Sequence, residues 1–462
     1  MAIKIKNNYT TTFSRSIICS FLITFLVVFG KVVTVNAQVN LHGVLQNYLA
    51  AQTTDDHDFI AARNRLRIHL DKPTDFGGLQ TELDLIHRFD QSQEIEFQLK
   101  EAYFEWFLPK VDIRVGHQKI IWGRANGTFI TDIITPVDLR EFLTISAEDI
   151  RFGLTSFNAI RYFGENSTQF VVAPFFQRDL LPKADSRWFP AKQISSVFSP
   201  IPVSIEPPAS KFSLKDVQFA FRYNLLSPEI IDLDLFLMRW THPTPAYDIS
   251  IGANGSPNPL SLELIESYQN SWMTGISSTI EVHSKLFVLA EVLFVERKLF
   301  TRIPSINPDD LDSATDLQNL TDLLNSMDFS DGFLTSKPWI HSMAGLRTEL
   351  FKTTFDAQFF VEGIFDYQDK IIQEEIYKYA TLLATRSFLR DRLQVLTLSR
   401  YNIDTDDFWI QLQGQYELND NLQLTLGTNL FGGEKSNEFS GHLSFSRFRE
   451  NSFIFSKIAL YF

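Results

Sequence analysis

Cysteine is all but absent: Cys19 is the only one in 462 residues. It lies in an N-terminal stretch where Lys4, Lys6 and Arg15 precede an uncharged apolar run from Ile17 to Gly30, followed by Val35-Asn36-Ala37 and Gln38. That sequence of charge, apolar run and small residue reads as a secretory signal peptide, 1–37, cut after Ala37. The run is short for the roughly 20 residues of a retained spanning helix, and Ile18 is too bulky to precede a lipidated cysteine. The expected mature chain, 38–462, therefore has no thiol, which excludes disulfides and cysteine-ligated metal. No second long apolar run follows, which excludes further spanning helices. Positive charge is also scarce. Removing Lys4, Lys6, Arg15 and Lys31, and no acid, from 42 basic and 55 acidic residues takes the net charge from −13 to −17. Such a surface excludes nucleic acid as a partner. The nine histidines show no His-x-x-x-His pair and no mixed histidine–acid cluster at ligand spacing, and there is no Gly-x-Ser-x-Gly elbow. No catalytic residue, metal or cofactor is expected.

Aromatic residues, by contrast, are abundant. They make up 14% of the chain, with 43 phenylalanines, while the mean hydropathy is −0.06. Membrane-seeking side chains without spanning helices leave one way across a bilayer, a closed antiparallel β-barrel. The mature chain alternates as barrel strands do. Leu66, Ile68 and Leu70 interleave with Arg65, Arg67, His69 and Asp71, and Leu79, Thr81, Leu83 and Leu85 with Gln80, Glu82 and Asp84. Ile95, Phe97 and Leu99 interleave with Glu96, Gln98 and Lys100, after which Ala102, Phe104 and Trp106 carry the apolar row in the opposite phase. This predicts a bulge near Lys100-Glu101. Val111, Ile113 and Val115 alternate with Asp112 and Arg114, and the pattern recurs up to Phe453–Phe462.

A parity test sharpens the expectation. With the first strand at 39–50 and the N-terminus in the periplasm, the connections after even strands fall at 72–78, 108–110, 164–167, 225–229, 283–285, 351–354, 388–391 and 418–420. All are short. Those after odd strands include 121–155, 178–211, 241–271, 298–337 and 431–451. Short periplasmic turns and long external loops mark an outer-membrane, up-and-down barrel of about 18 strands, or 14 to 16 if a loop has been divided wrongly. The external loops hold two further features. Asp309-Asp310-Leu311-Asp312 reads as a hydrated acidic run rather than a calcium loop, since it lacks the glycine and closing glutamate. Leu317, Leu320, Leu323 and Leu324 fall at helical spacing.

The stretch after the fifth strand differs from the other loops. Thr135-Pro136-Val137-Asp138 predicts a helix start, with a threonine cap and proline at the first position, and Leu139, Phe142 and Leu143 give it an apolar face. Two roles are open to segment 121–155 if it folds into the lumen. In one, Trp122 and Phe129 pack it, Gly123 and Gly127 turn it, and Asp138 caps the helix. In the other, Arg124, Asp132, Asp138, Arg140 and Glu141 face the wall row Arg63, Arg65, Arg67, Glu82, Asp84, Glu96 and Arg114 as a charged constriction.

Gly116-His117-Gln118-Lys119-Ile120-Ile121-Trp122-Gly123-Arg124-Ala125-Asn126-Gly127 and the later Asp132-Ile-Ile-Thr135-Pro136-Val137-Asp138-Leu139-Arg140-Glu141-Phe142 closely resemble a family signature. The family comprises Gram-negative outer-membrane barrels long carried as a domain of unknown function, similar to porin and alginate-export barrels. His117, Asn126 and Thr135 stand where the family more often has a basic residue, aspartate and asparagine. The resemblance implies transport of small or hydrophobic, lipidic compounds across the outer membrane beside an inner-membrane exporter. The closing residues Phe453–Phe462 themselves resemble the final strand that barrel-assembly machinery recognises, without the glycine often found there, and an outer-membrane barrel is expected to meet outer-membrane lipid and lipopolysaccharide. Rival classes are an outer-membrane enzyme acting on lipid and a surface adhesin or receptor using the long loops.

Overall fold

The computed structural model describes residues 39–54, 58–89, 94–147, 149–183, 186–189, 203–206, 216–227, 230–252, 261–302, 332–434 and 441–462. The expected leader with Cys19, the acidic run 309–312 and the leucine pattern 317–324 lie outside them. The strands are β1 (Asn40–Gln52), β2 (Phe59–Thr74), β3 (Gly77–Arg88), β4 (Ile95–Leu108), β5 (Val111–Gln118), β6 (Leu154–Phe163), β7 (Asn166–Ala173), β8 (Val203–Glu206), β9 (Gln218–Ser227), β10 (Ile231–Thr241) and β11 (Ala246–Gly252). They continue with β12 (Ser261–Ser267), β13 (Asn270–His283), β14 (Leu286–Thr301), β15 (Leu334–Leu350), β16 (Thr353–Ile364), β17 (Ile376–Phe388), β18 (Leu393–Asn402), β19 (Asp407–Asn419), β20 (Leu422–Gly433) and β21 (Phe453–Tyr461).

Eighteen of these form one antiparallel sheet in which β1 pairs with both β2 and β21, so the sheet closes. Strands β8, β11 and β12 stand apart as a small sheet within the long connections flanking β9 and β10. Closure is what lipid demands, because an acyl chain offers no partner to an unpaired N–H or C=O. The parity holds along the chain, with every connection after an even wall strand being a short turn, from 75–76 to 420–421. The bulge is at Lys100: Glu82 pairs with Glu101 and Leu83 with Leu99, leaving Lys100 as the extra residue.

Side chains alternate across the wall as a bilayer requires. On β10, Leu235 and Leu237 are exposed on the outside, whereas Asp234, Phe236, Met238 and Trp240 are buried within. The inner rows are nevertheless less polar than alternation alone predicts. Phe236, Met238 and Trp240 on β10 and Leu289, Leu293 and Val295 on β14 join an apolar cluster with Ile120, Trp122, Ile130, Ile133 and Ile134 of the segment that follows β5. Much of the bore is therefore a packed core, because an inner apolar row needs other apolar groups to exclude water.

The seam is tight. Gly43 and Phe462 exchange backbone hydrogen bonds of 2.9 and 3.1 Å. A Cβ on Gly43 would collide with the Arg67 carbonyl oxygen and stand 2.7 Å from the Phe462 ring, which covers the bare glycine. Gly43→Val is expected to cost ~1–3 kcal/mol through overpacking. The check is a lower denaturant midpoint for the heat-modifiable, compact band on unboiled gels.

Candidate functional site: a segment packed inside the barrel

Strand β5 is only eight residues long, and after Gln118 the chain leaves the wall. Its first arm, 119–135, is held by groups from far along the sequence. Trp122 is 2% exposed and stacks on Phe236, with ring centroids 5.0 Å apart, while its indole N–H donates to Gln169 Oε1 at 3.1 Å. Glu291, fully buried on β14, accepts three bonds: from the Arg124 N–H at 2.7 Å, the Thr131 N–H at 2.8 Å and the Thr131 hydroxyl at 2.7 Å. A buried carboxylate needs such partners, or its desolvation is uncompensated. Gly123 has φ +92°, and a Cβ there would lie 2.7 Å from Glu291 Oε1 and 2.9 Å from Thr131 Oγ1. Both backbone conformation and space therefore call for glycine. Gly127 supplies a second left-handed position, φ +74°.

Beyond the turn, Arg124 pairs with Asp232 at 2.9 Å and Asp234 at 3.1 Å on β10. The Asn126 N–H donates to Gln358 of β16 at 2.8 Å, and the Tyr379 hydroxyl of β17 lies 3.3 Å from Thr128 Oγ1. β17 is nine wall strands on from β5 in a ring of eighteen, the opposite side of the barrel.

The second arm, 136–153, carries a correction. The predicted helix at Thr135-Pro136 does not form, and the arm's described residues hold only a 3-10 turn, Phe142–Thr144, without a side-chain cap. The reason is competition for hydrogen bonds. Thr135 Oγ1 accepts from the Ile120 N–H at 2.7 Å and donates to the Ile120 carbonyl at 2.6 Å, so it caps nothing. The Val137 N–H donates to Asp179 Oδ1, the Asp138 N–H to the Ile150 carbonyl and the Leu139 N–H to the Leu180 carbonyl. Asp138, the expected cap residue, instead holds the Arg140 guanidinium at 2.6 Å. Pro136 keeps its carbonyl for the Phe152 N–H. Leu139 packs on Val137, Ile145 and Ile150, and Phe142 on Trp188, Phe431, Phe445 and Phe448.

Nine of the twelve expected constriction residues meet beneath this arm, but in contact rather than across a gap. Arg63 binds Glu141, and Arg65 binds Asp149. Arg67 bridges Asp84 at 2.7 Å and Asp149 at 2.9 Å and lies 3.5 Å from Glu82. Arg140 joins Asp138 to Glu96 at 2.9 Å. The other three are elsewhere: Arg114 with Glu105, Arg124 with the β10 aspartates, and Asp132 with Arg151. Sequence reasoning missed Arg88, Asp149, Lys119 and Glu291. Arg88, which binds Glu141 and Glu96, continues the inward row of Glu82 and Asp84 and was there to be read. Glu291 stood out as an acid between Leu289 and Leu293. A small polar hollow of about 10 Å³, room for about one water, remains between arm and wall, lined by Arg63, Arg65, Ile86, Arg88, Gln98, Asp138, Glu141, Ile145 and Asp149.

Burial would raise the Glu141 carboxyl, but Arg63 and Arg88 outweigh it and hold the pKa at about 2; Asp149 is likewise held below the ordinary range by Arg65 and Arg67. Asp179 is the reverse. Burial pushes it up to about 7, with the Val137 N–H and Arg151 recovering only part of the shift.

No protein-family model and no curated protein matches the sequence. Solved structures do match the fold. The outer membrane protein OpdK of Pseudomonas aeruginosa aligns with TM-score 0.50 and 6% identity over 92% of this chain and 98% of its own. OccAB4 of Acinetobacter baumannii gives 0.50 and 8% over 92% and 98%. OccK2 (OpdF) of P. aeruginosa gives 0.50 and 8% over 92% and 97%. The shared property is the fold, a closed 18-stranded barrel of the outer-membrane type.

Two outcomes are expected. Gly123→Ala should leave the wall intact but undock the first arm, at ~1–3 kcal/mol for the strained conformation, giving roughly tenfold faster proteolysis within 119–135. The second concerns pH. A carboxyl raised in the fold favours docking below its unfolded pKa of about 4 and loses that contribution as pH rises through 7, whereas Glu141 and Asp149 contribute above about 4 and lose it only in stronger acid. Docking of the second arm should therefore be tightest near pH 4 and weaken progressively up to about pH 7. Hydrogen exchange at the Val137 amide, corrected for intrinsic rate, should quicken between about pH 4.5 and 7 and then level off, and Asp179→Asn should flatten that rise.

Proposed function

We infer that the protein is an outer-membrane channel whose conducting path follows the arginine-bearing wall of β2 and β3, behind the arm 136–153, and passes small charged or polar solutes. The observation that carries this reading is the row of charge pairs between arm and wall, which encloses a hollow with room for about one water and would widen if those pairs opened. The hollow is polar and bounded by Arg63, Arg65 and Arg88 on the wall and by Asp138, Glu141 and Asp149 on the arm. The opposite half of the bore is filled by the apolar cluster around Trp122 and Phe236. A path needs water, and water goes where polar groups can bind it. Because both signs of charge line the hollow, its selectivity depends on which pairs are closed.

A second reading, passage of hydrophobic or lipidic compounds beside an inner-membrane exporter, has one observation in its favour. The inward apolar rows of β10 and β14 would form a greasy track if the first arm withdrew. Under either reading the chain crosses to the outer membrane by its leader, is assembled through the strand Phe453–Tyr461 and the terminal Phe462, and meets lipid and lipopolysaccharide on its outer face.

Single-channel recording in planar bilayers tests the first reading. Asp138→Ala removes an anion from the path and should shift selectivity toward anions. Arg140→Ala removes a cation and should shift it toward cations. Each should raise conductance, by about twofold or more, as the arm loosens. Unchanged conductance and selectivity in both variants would remove this path from consideration.

A further inference from the structure

The periplasmic rim formed by β15 to β18 breaks two rules at once. The β15–β16 hairpin closes through Phe351 and Lys352, both left-handed, with φ 52° and 61°. A two-residue turn of that hand favours Asn-Gly, because a bulky side chain clashes with its own backbone there. The four-residue β17–β18 connection goes further, with three successive left-handed residues, Leu389, Arg390 and Asp391, φ 54°, 57° and 68°. The side chains held in this unfavourable backbone are then left bare: Phe351 is 89% exposed and Leu389 62%. Neither packs a core.

One strand position higher lies a second anomaly. On β17, Tyr379 and Thr381 are buried inside and Leu382 is exposed outside, so Arg386 and Phe388 fall on the outer, lipid-facing row. The Arg386 guanidinium sits 4.8 Å from the Phe388 ring, and its Nε, shielded from solvent, makes no hydrogen bond among the described residues. A cation on the lipid face is costly in hydrocarbon and is accommodated where headgroups begin. Arg390 and Lys352 flank it on the turns.

We propose that Phe351 and Leu389 insert into the inner leaflet of the outer membrane, and that Arg386, with Arg390 and Lys352, binds the phosphate of an anionic phospholipid there. The outer face reaches the tips through exposed Leu346 and Leu350 on one hairpin and Leu382 and Phe388 on the other, interrupted on β17 only by Ala384 and the cation Arg386, so the tips extend the face that already meets lipid. The cations complement a lipid phosphate, although the chain as a whole is acidic. Asp391 and Glu349 are the nearby acids, and Glu349 is engaged by Lys285 at 3.1 Å. Aromatic and cationic side chains together at this depth are what an interfacial anchor requires.

The absence of cysteine from the mature chain gives the test a clean background. A nitroxide on Phe351→Cys or Leu389→Cys, in the full barrel in phosphatidylethanolamine–phosphatidylglycerol vesicles, should collide with oxygen more than with a water-soluble nickel chelate; Glu165→Cys, on another periplasmic turn, is the aqueous reference. Detergent extraction followed by native mass spectrometry should show phosphatidylglycerol retained by the parent barrel. Arg386→Gln with Arg390→Gln should retain it roughly fivefold less, and Arg386→Lys should restore most of it. Heat-modifiability confirms that each variant is folded, and Arg390→Gln alone serves if the double variant is not. Nickel access at 351 and 389 equal to that at 165, or equal phosphatidylglycerol retention by parent and variants, would overturn the proposal.

Discussion

A hydrocarbon layer supplies no hydrogen bonds, and the rest of this molecule follows from that constraint. Every wall strand must find a neighbour on both sides, so the last strand returns to the first and Phe462 meets Gly43. Once the cylinder is closed, its outer row must be apolar, and chemistry is confined to the inner row and to whatever chain is folded against it. The short periplasmic turns leave no material for that purpose. The external connections provide it, and the one that follows the shortened β5 is used.

Inside, two different physical devices hold that connection. The first arm is held by burial, with Trp122 in an apolar cluster and a lone carboxylate, Glu291, satisfying three donors. The second adds charge to packing, with arginines on β2 and β3 matched to acids on the arm while Phe142 and Leu139 sit among apolar side chains. Packed apolar contact is insensitive to salt, whereas partly solvated ion pairs weaken with it. The second arm's hold is therefore the more salt-sensitive of the two, although the buried Asp132–Arg151 pair ties the arms together, and the small polar hollow lies beneath its charge pairs.

The wall was legible in the sequence, since each strand carries its own evidence: the period-two rows, the phase change that locates the Lys100 bulge, and the spacing of turns. The interior was legible only in part. The inward rows of β2 to β4 announced their charges because alternation isolates one face. Thr135 misled because its hydroxyl serves Ile120, fifteen residues away, and a cap motif cannot show that its oxygen is already engaged. Glu291 reaches a segment some 160 residues earlier in the chain. No local pattern encodes such a pairing, although an acid between buried leucines indicates that some partner exists. The apolar inner faces of β10 and β14 were overlooked because alternation reports which side is greasy outside and is silent about what fills the inside.

Gly123 and Glu291 illustrate what that distance implies. Their atoms share one small volume, so the identity of one position fixes the size permitted at the other across more than a third of the chain. Enlarging residue 123 demands a shorter residue at 291, which would in turn strand the amide protons of Arg124 and Thr131 without an acceptor. Neither site can drift alone. The tryptophan–glycine pair is therefore held in place by an acid on the far wall, and substitutions there would have to arrive together to be tolerated.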